Sequence, residues 1–411
     1  MFRKFLALAI VLVLPLILIS CSSDDSDSSS ADTGSTGSVG TDFIKADGNG
    51  LVVGPTNSTI FLRGVNFREY MMIDSTTSDW VDYSISDNDS PVTGWFNDGH
   101  IAKAAEIGFN VVRLALNYRY FEDDSNPGVY KDSGWTFLDN YISVAKANGV
   151  YLILDMHIPP GGLQTIASGA VLWDDSSNSD RLVAIWGAIA SRYADETQIA
   201  GYDILNEPSP STSADQWKTL AQDIVDEIRT VDTNHLIIVE QVVTIVSADG
   251  TYGNWDLAEF QFLVNDDNVM YDFHYYQPMS NYQHLSDWTL CGGVGSYPDP
   301  TVNEIASDGV SMACDKNYLE YDLGLWLAFY ENNNVPVNCG EWGGEAYNIA
   351  LVSLAGGGAY ITDMFDLFGT NGVNWQYYSI GSFYTDSDMT TPDTSVITLF
   401  DSTFSLSAKG E

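Results

Sequence analysis

Positive charge is scarce in this chain. Lys and Arg number 16 against 56 Asp and Glu, giving a net charge of −40 and a pI near 4.1. Such a balance disfavours nucleic acid and anionic membrane surfaces as partners and leaves an uncharged polymer as a natural one. Solubility or a salty habitat explains the acidity more simply than substrate steering does. Cysteine is rare too, at four residues, and no His/Cys cluster stands at metal-ligand spacing, so no metal site is expected. Asp24, Asp25 and Asp27 read as a solvated linker run, not a calcium site. Disorder is excluded by a hydrophobic content of 45% with 11 Trp and 23 Tyr in 411 residues, enough for a sizeable core.

The N-terminus stands apart. Arg3 and Lys4 precede an apolar run from Phe5 to Ile19, right for a signal-peptide core and short for a membrane span. Residues 1–20 are therefore expected to be removed. The ending Leu18-Ile19-Ser20-Cys21 resembles a bacterial lipoprotein signal, in which Cys21 would carry lipid and tether an exported protein to the membrane or cell surface. Ordinary secretion is the alternative, although no Ala-x-Ala site competes. Residues 21–42 are rich in Ser, Asp and Gly, with Val39 as the one large apolar residue, and read as a flexible tether. Export permits disulfides. Cys291 and Cys314 flank a loop rich in Gly, Pro and Asp and are expected to pair, while Cys339, inside an apolar run, reads as a buried thiol.

From about Phe43 onward strand and helix alternate. Asp47-Gly48-Asn49-Gly50 before Leu51-Val52-Val53 predicts a small hairpin. Strands are expected at 59–65, 110–116, 150–156, 201–205, 235–240, 269–275, 335–340 and 372–376, each short and apolar as in a sheet buried on both faces. Helices are expected at 98–107, 134–148, 181–193, 214–230 and 318–332, with another near 349–368 interrupted by Gly356-Gly357-Gly358. Trp217, Leu220, Ile224, Val225 and Ile228 mark one face of the helix over 214–228. This repetition predicts a (β/α)₈ TIM barrel over 43–411, with its site at the carboxyl ends of the strands. A doubly wound open sheet is the alternative, but Arg63-Gly64-Val65-Asn66 is no phosphate loop. The residues after Trp375 suffice for a last loop and helix, not for an added carbohydrate-binding module.

Polar residues recur at the expected strand ends: Asn66, Arg113, His157, Asn206, Glu207, Glu240, His274, Tyr276, Glu341 and Trp375. Each alone has a structural explanation, and a polar group ending a buried strand is costly without a task. Glu207 and Glu341 both end apolar runs, and two carboxylates facing across one site can cleave a glycosidic bond. Glu240 binds a sugar or anchors Arg and backbone groups; it stays outside the catalytic set.

In these motifs the sequence resembles glycoside hydrolase family 5, the retaining β-glycanases that include many cellulases. The resemblance covers about 50–380. It is carried by Leu62-Arg63-Gly64-Val65-Asn66, Asn110-Val111-Val112-Arg113, Leu154-Asp155-Met156-His157, Asn206-Glu207-Pro208, His274-Tyr275-Tyr276, Gly340-Glu341-Trp342-Gly343 and Asn374-Trp375. The resemblance implies that Glu341 is the nucleophile and Glu207 the acid/base, with the pKa of Glu207 above that of Glu341. It implies that Arg113 and Tyr276 hold Glu341, that His274 modulates the proton of Glu207, and that Asn206 bonds the sugar 2-hydroxyl. His157 would bind other hydroxyls, and Trp375 would stack on a pyranose ring. No cofactor is implied. Trp173 and Trp288 are outer-subsite or packing residues.

The activity implied is endo-β-1,4-glucanase (cellulase) acting as a monomer on β-glucan or a related neutral polysaccharide. β-Mannanase or β-1,3/mixed-linkage glucanase on the same scaffold is the alternative, turning on 157–162 and the insertion around 277–315. A glycan-binding protein on a dead barrel would have lost one carboxylate, and both are present.

Overall fold

The computed structural model describes residues 42–67, 99–162, 171–245, 257–278, 291, 296–343, 345–346, 349–350, 356–385 and 389–407. The signal segment, Cys21, the tether up to residue 41 and Trp288 lie outside the described residues. The body opens with the expected hairpin. Strands β1 (Ile44–Asp47) and β2 (Gly50–Val53) turn across Gly48-Asn49, and β3 (Ser58–Ile60) adds to β2. Ile44 and Leu51 of this sheet pack with Leu62, Val111, Ile153, Leu236, Ile238 and Met270, closing one end of the barrel that follows.

The barrel begins with β4 (Arg63–Phe67), β5 (Val111–Asn117), β6 (Tyr151–Ile158), β7 (Ile199–Asp203), β8 (Leu236–Glu240) and β9 (Val269–Tyr275). A hairpin of β10 (Asp299–Ile305) and β11 (Ser311–Cys314) interrupts it, stapled by the expected Cys291–Cys314 disulfide. Cys339 is a buried free thiol. The next strands are β12 (Val337–Gly343), the short pair β13 (Glu345–Ala346) and β14 (Ile349–Ala350), and β15 (Asn374–Tyr378). β4 to β9 pair in chain order, β12 joins β9, and β15 closes the ring between β12 and β4. All eight pairings of this closed barrel are parallel.

Helices fill the connections: α1 (Gly99–Ile107), α2 (Asp132–Asn148), α3 (Val171–Asp174), α4 (Ser176–Tyr193), α5 (Ala214–Arg229), α6 (Leu257–Phe260), α7 (Lys316–Asn333), α8 (Gly357–Asn371) and α9 (Thr394–Ser407). The apolar face read in α5 is buried. Asp315 caps α7 by accepting from the backbone of Asn317 and Tyr318.

Two expected elements differ. The strand over 59–65 is two strands, because Phe61-Leu62 carries the chain from hairpin to barrel. The N–H groups of Leu62 and Arg63 bond the side-chain oxygens of Asn374 and Asn110, each at 2.8 Å, in place of strand neighbours. The helix over 349–368 starts only at Gly357. Gly356 sits at φ +83°, and a Cβ there would meet the Tyr297 carbonyl. The glycines mark the start of the helix and do not break its middle.

Candidate active site

Along each barrel strand alternate side chains point inward, and the inward residues change character from one end to the other. Val111 precedes Arg113 on β5; Ile153 precedes Asp155 and His157 on β6; Ile238 precedes Glu240 on β8; Met270 precedes Asp272 and His274 on β9. An apolar floor thus gives way to a charged layer beneath the mouth.

Arg113, fully buried, organises that layer. Its Nε donates to Asp203 Oδ2 at 2.8 Å. Nη1 lies 3.0 Å from Asn66 Oδ1, 3.0 Å from Glu341 Oε1 and 3.1 Å from Asp155 Oδ2. Nη2 donates to Asn206 Oδ1 at 2.9 Å and Glu240 Oε1 at 2.8 Å. Asp272 accepts from the Gly340 N–H at 2.9 Å and from Asn338. One guanidinium does not neutralise so many buried carboxyls, and removal from water favours the protonated form. Burial accordingly pushes Asp155, Glu240 and Asp272 each up to about 7, against the pull of Arg113 and His274, and Asp203 well above its ordinary value. Asp155 Oδ1 and Asp203 Oδ1 have no hydrogen-bond donor among the described residues, and these two residues face each other in the β6–β7 register. A proton held there fits both facts.

Above this layer one carboxylate oxygen from each of Glu207 and Glu341 and a ring nitrogen of His274 lie within 4.8 Å of one another. Tyr276 Oη donates to Glu341 Oε2 at 2.7 Å. His274 Nδ1 lies 2.9 Å from Glu207 Oε1 and 3.6 Å from Glu341 Oε2. Its Nε2 is 3.5 Å from Glu240 Oε1, an electrostatic contact too long for a strong hydrogen bond. Burial alone would lower the pKa of His274, but Glu240, Glu341 and the bond to Glu207 override it and raise the group well above its ordinary value. His274 is an imidazolium between carboxylates. His157 is the opposite case: burial takes it down to about 4, so a neutral ring donates from Nδ1 to Asp155 Oδ2 at 2.8 Å. Its Nε2 then faces the Asn206 amide at 3.4 Å.

Glu341 reaches the interior through a register slip. Cys339 pairs with Phe273 and Glu341 with His274, so Gly340 is an extra residue on β12. A Cβ on Gly340 would lie 2.5 Å from Asp272 Oδ2. Only glycine lets the strand approach so closely.

The structure therefore gathers Arg113, His157, Asn206, Glu207, His274, Tyr276 and Glu341 at one mouth, with Asn66 and Glu240 beneath. Trp375 is not among them, and its expected role as a sugar platform is corrected. Gln376 points inward, bonded to Asn338 in both directions; its neighbour Trp375 points out, 3% exposed, against Phe365, Trp342, Phe400 and Phe109. Tyr378, half-buried two residues beyond Gln376, is the aromatic that alternation carries to the mouth. Strand-end counting overlooked it, and overlooked Asp155, Asp203 and Asp272; a charge in the middle of an apolar strand was the available signal for these three. Trp173 packs edge-on against Trp217.

Known proteins share the fold and parts of the sequence. The solved endoglucanase Cel5A of Thermotoga maritima superposes with a TM-score of 0.61 at 18% identity, over 82% of this chain and 96% of that one. A β-glucanase of Saccharophagus degradans does so at 0.57 and 17%, over 90% and 95%. At such identities the likeness is one of fold. In sequence, a protein named Beta-xylosidase from Phanerodontia chrysosporium is 32% identical over 217 residues, 49% of this chain and 45% of that protein; the chain thus matches under half of that relative's length. Endoglucanase C of Acetivibrio thermocellus is 26% identical over 258 residues, 59% of this chain and 73% of that one. The sequence profile described as Cellulase (glycosyl hydrolase family 5) matches residues 73–383, a span that holds all the mouth residues named above. The chain belongs to glycosyl hydrolase family 5 and is a glycoside hydrolase.

Proposed function

We propose that this chain is a retaining endo-β-1,4-glucanase, with Glu341 as nucleophile and Glu207 as acid/base. The observation that carries the mechanism is that one oxygen of Glu207 lies within 4.8 Å of one oxygen of Glu341, close enough for the pair to act on one bond without a water standing between them. Retaining pairs stand about 5–5.5 Å apart, whereas inverting pairs need about 6.5–9.5 Å to admit water. Arg113 and Tyr276 each donate to a different oxygen of Glu341, which fixes the direction of the carboxylate. Glu341 attacks the anomeric carbon while the proton of Glu207 passes to the departing glycosidic oxygen. In the second step Glu207 takes a proton from water, whose oxygen displaces Glu341 from the sugar. Asn206 bonds the sugar 2-hydroxyl, His157 reaches other hydroxyls, and Tyr378 supplies the stacking face that the sequence had assigned to Trp375.

One point favours β-1,4-glucan as substrate: several relatives carry the name endoglucanase. A mannan reading has support as well: a structure of the Thermotoga maritima protein at 17% identity is described with mannotriose. The test is incubation with cellulose, β-mannan, laminarin, mixed-linkage glucan and xylan, followed by proton NMR of the first products. β-Anomers of mid-length cello-oligosaccharides are expected. First-formed α-anomers overturn retention, and preferential release from another glycan overturns the substrate. Glu341→Gln and Glu207→Gln should each lose several orders of magnitude in turnover; near-normal activity of either variant overturns its role.

We further propose, from the sequence Leu18-Ile19-Ser20-Cys21, an exported protein lipidated at Cys21. Cys21→Ser should then release the enzyme from the membrane fraction. Unchanged fractionation overturns the tether.

A further inference from the structure

Glu240 ends β8 beneath the mouth, 1% exposed. It divides its oxygens. Oε1 accepts from Arg113 Nη2 at 2.8 Å and lies 3.5 Å from His274 Nε2. Oε2 accepts the backbone N–H of Glu207 at 2.7 Å. Glu207 is one of few described non-glycine residues at positive φ, +46°. That conformation crowds a side chain against its own backbone. Pro208 follows, and a residue before proline is pushed toward extended backbone. The local sequence thus resists, on two counts, the backbone conformation that brings the Glu207 carboxylate to His274.

We propose that Glu240 is a positioning residue for the reaction: it pins the left-handed backbone of Glu207 and, through Arg113 and His274, fixes the proton donor relative to Glu341. This rests on the roles proposed above for Glu207 and Glu341. Only a carboxylate of this length meets the geometry. Arg113 donates to one oxygen and the Glu207 backbone to the other, with the His274 ring 3.5 Å from the first, so an acceptor is needed at each oxygen. Glutamine has one acceptor, so its amide NH₂ would confront either the guanidinium or the Glu207 N–H. Aspartate keeps the charge and falls a methylene short. Burial raises Glu240 to about 7 while His274 and Arg113 pull it back, so its charge depends on the cations it holds.

Loss of packing lowers all activity together; misplacement of the acid does not. An aryl glycoside with an acidic phenol leaves without a proton, whereas a poor leaving group needs one. The experiment compares kcat/KM of wild type, Glu240→Gln, Glu240→Asp and Glu207→Gln on dinitrophenyl and phenyl β-glycosides of the sugar the wild type cleaves. Each is run with and without azide, which attacks the glycosyl-enzyme without a general base. Melting curves establish that each variant is folded, and Glu240→Asp carries the test if Glu240→Gln is not. A Glu240 variant is expected to lose about 10²-fold on the phenyl glycoside, far less on the dinitrophenyl one, and to yield glycosyl azide with faster turnover when azide is added. Equal loss on both substrates, or no loss, beside a clear split in Glu207→Gln overturns the positioning role. No split in Glu207→Gln overturns the acid/base assignment itself, and the positioning of a proton donor with it.

Discussion

Tyr276 Oη lies 2.7 Å from Glu341 Oε2, while Arg113 Nη1 holds the other oxygen, Oε1, at 3.0 Å. The two donors share the carboxylate without competing for one atom. A nucleophile so held is oriented toward the mouth.

Removing one of these donors should therefore be felt in turnover. Tyr276→Phe leaves the ring and deletes a hydrogen bond to a charged group, worth about 1.5–3 kcal/mol, so kcat should fall roughly 10- to 100-fold. KM should change little, because the bond is made to the enzyme's own carboxylate. Steady-state kinetics on the best polysaccharide or its oligosaccharides give the answer, and an unchanged kcat would remove Tyr276 from the machinery.

Trp375 and Tyr378 should separate cleanly. Trp375 sits between barrel and helices, so Trp375→Ala should cost about 3–5 kcal/mol of stability, and Trp375→Phe should lower Tm while leaving KM as it is. Tyr378→Ala should instead lower kcat/KM about tenfold through lost stacking at nearly unchanged Tm. The reverse pattern would restore Trp375 as the platform.

The buried carboxyls give stability a pH dependence of definite sign. Asp155 and Asp272 hold protons up to about pH 7 when folded, and Asp203 is raised well above its ordinary value, whereas unfolded carboxyls release them near 4. Between roughly pH 4 and pH 7 the folded chain binds more protons, so this stabilisation is full below that window and is lost as pH rises through it. His157, lowered to about 4, works the other way over part of the window, but it is one group against three. Tm by calorimetry should be higher at pH 5 than at pH 7.5. The difference should persist in about 1 M salt, which screens surface repulsion but not the barrel interior. A Tm rising across the same range would contradict the protonated interior.

The Cys291–Cys314 bond spans a sequence separation of 23 residues, and closing a loop of that size restricts the unfolded chain by about 3 kcal/mol. Replacing both cysteines by serine should lower Tm by several degrees. Because the bond staples the β10–β11 insertion and not the barrel, kcat on a short soluble substrate should hold. Calorimetry and kinetics on the double variant would check the two halves separately.

Much of this was legible locally. The alternation of short apolar strands with amphipathic helices is a near-neighbour pattern, and so is the turn at Gly48-Asn49. The position of Glu207 and Glu341 at the ends of apolar runs could be read the same way. Where the reading failed, the missing quantity was parity. On β15 the inward set is Asn374, Gln376 and Tyr378, which sends Trp375 outward; a strand end by itself does not say which face a residue takes. On β12 strict alternation from the inward Asn338 would send Glu341 outward. The slip at Gly340 resets the count, turning Glu341 in and Trp342 out.

The sequence by itself determined the order of strands and helices and supplied two carboxylates at strand ends, because both follow from residue type and spacing along the chain. The tertiary structure alone decided that Glu207 and Glu341 meet, that Arg113 binds carboxyls from four other strands, and that Glu240 lies buried beneath them on Arg113 and the Glu207 backbone. The physical reason is closure. Inward direction and depth are set by the register each strand adopts with its neighbours, and that register exists only when the ring of strands is complete.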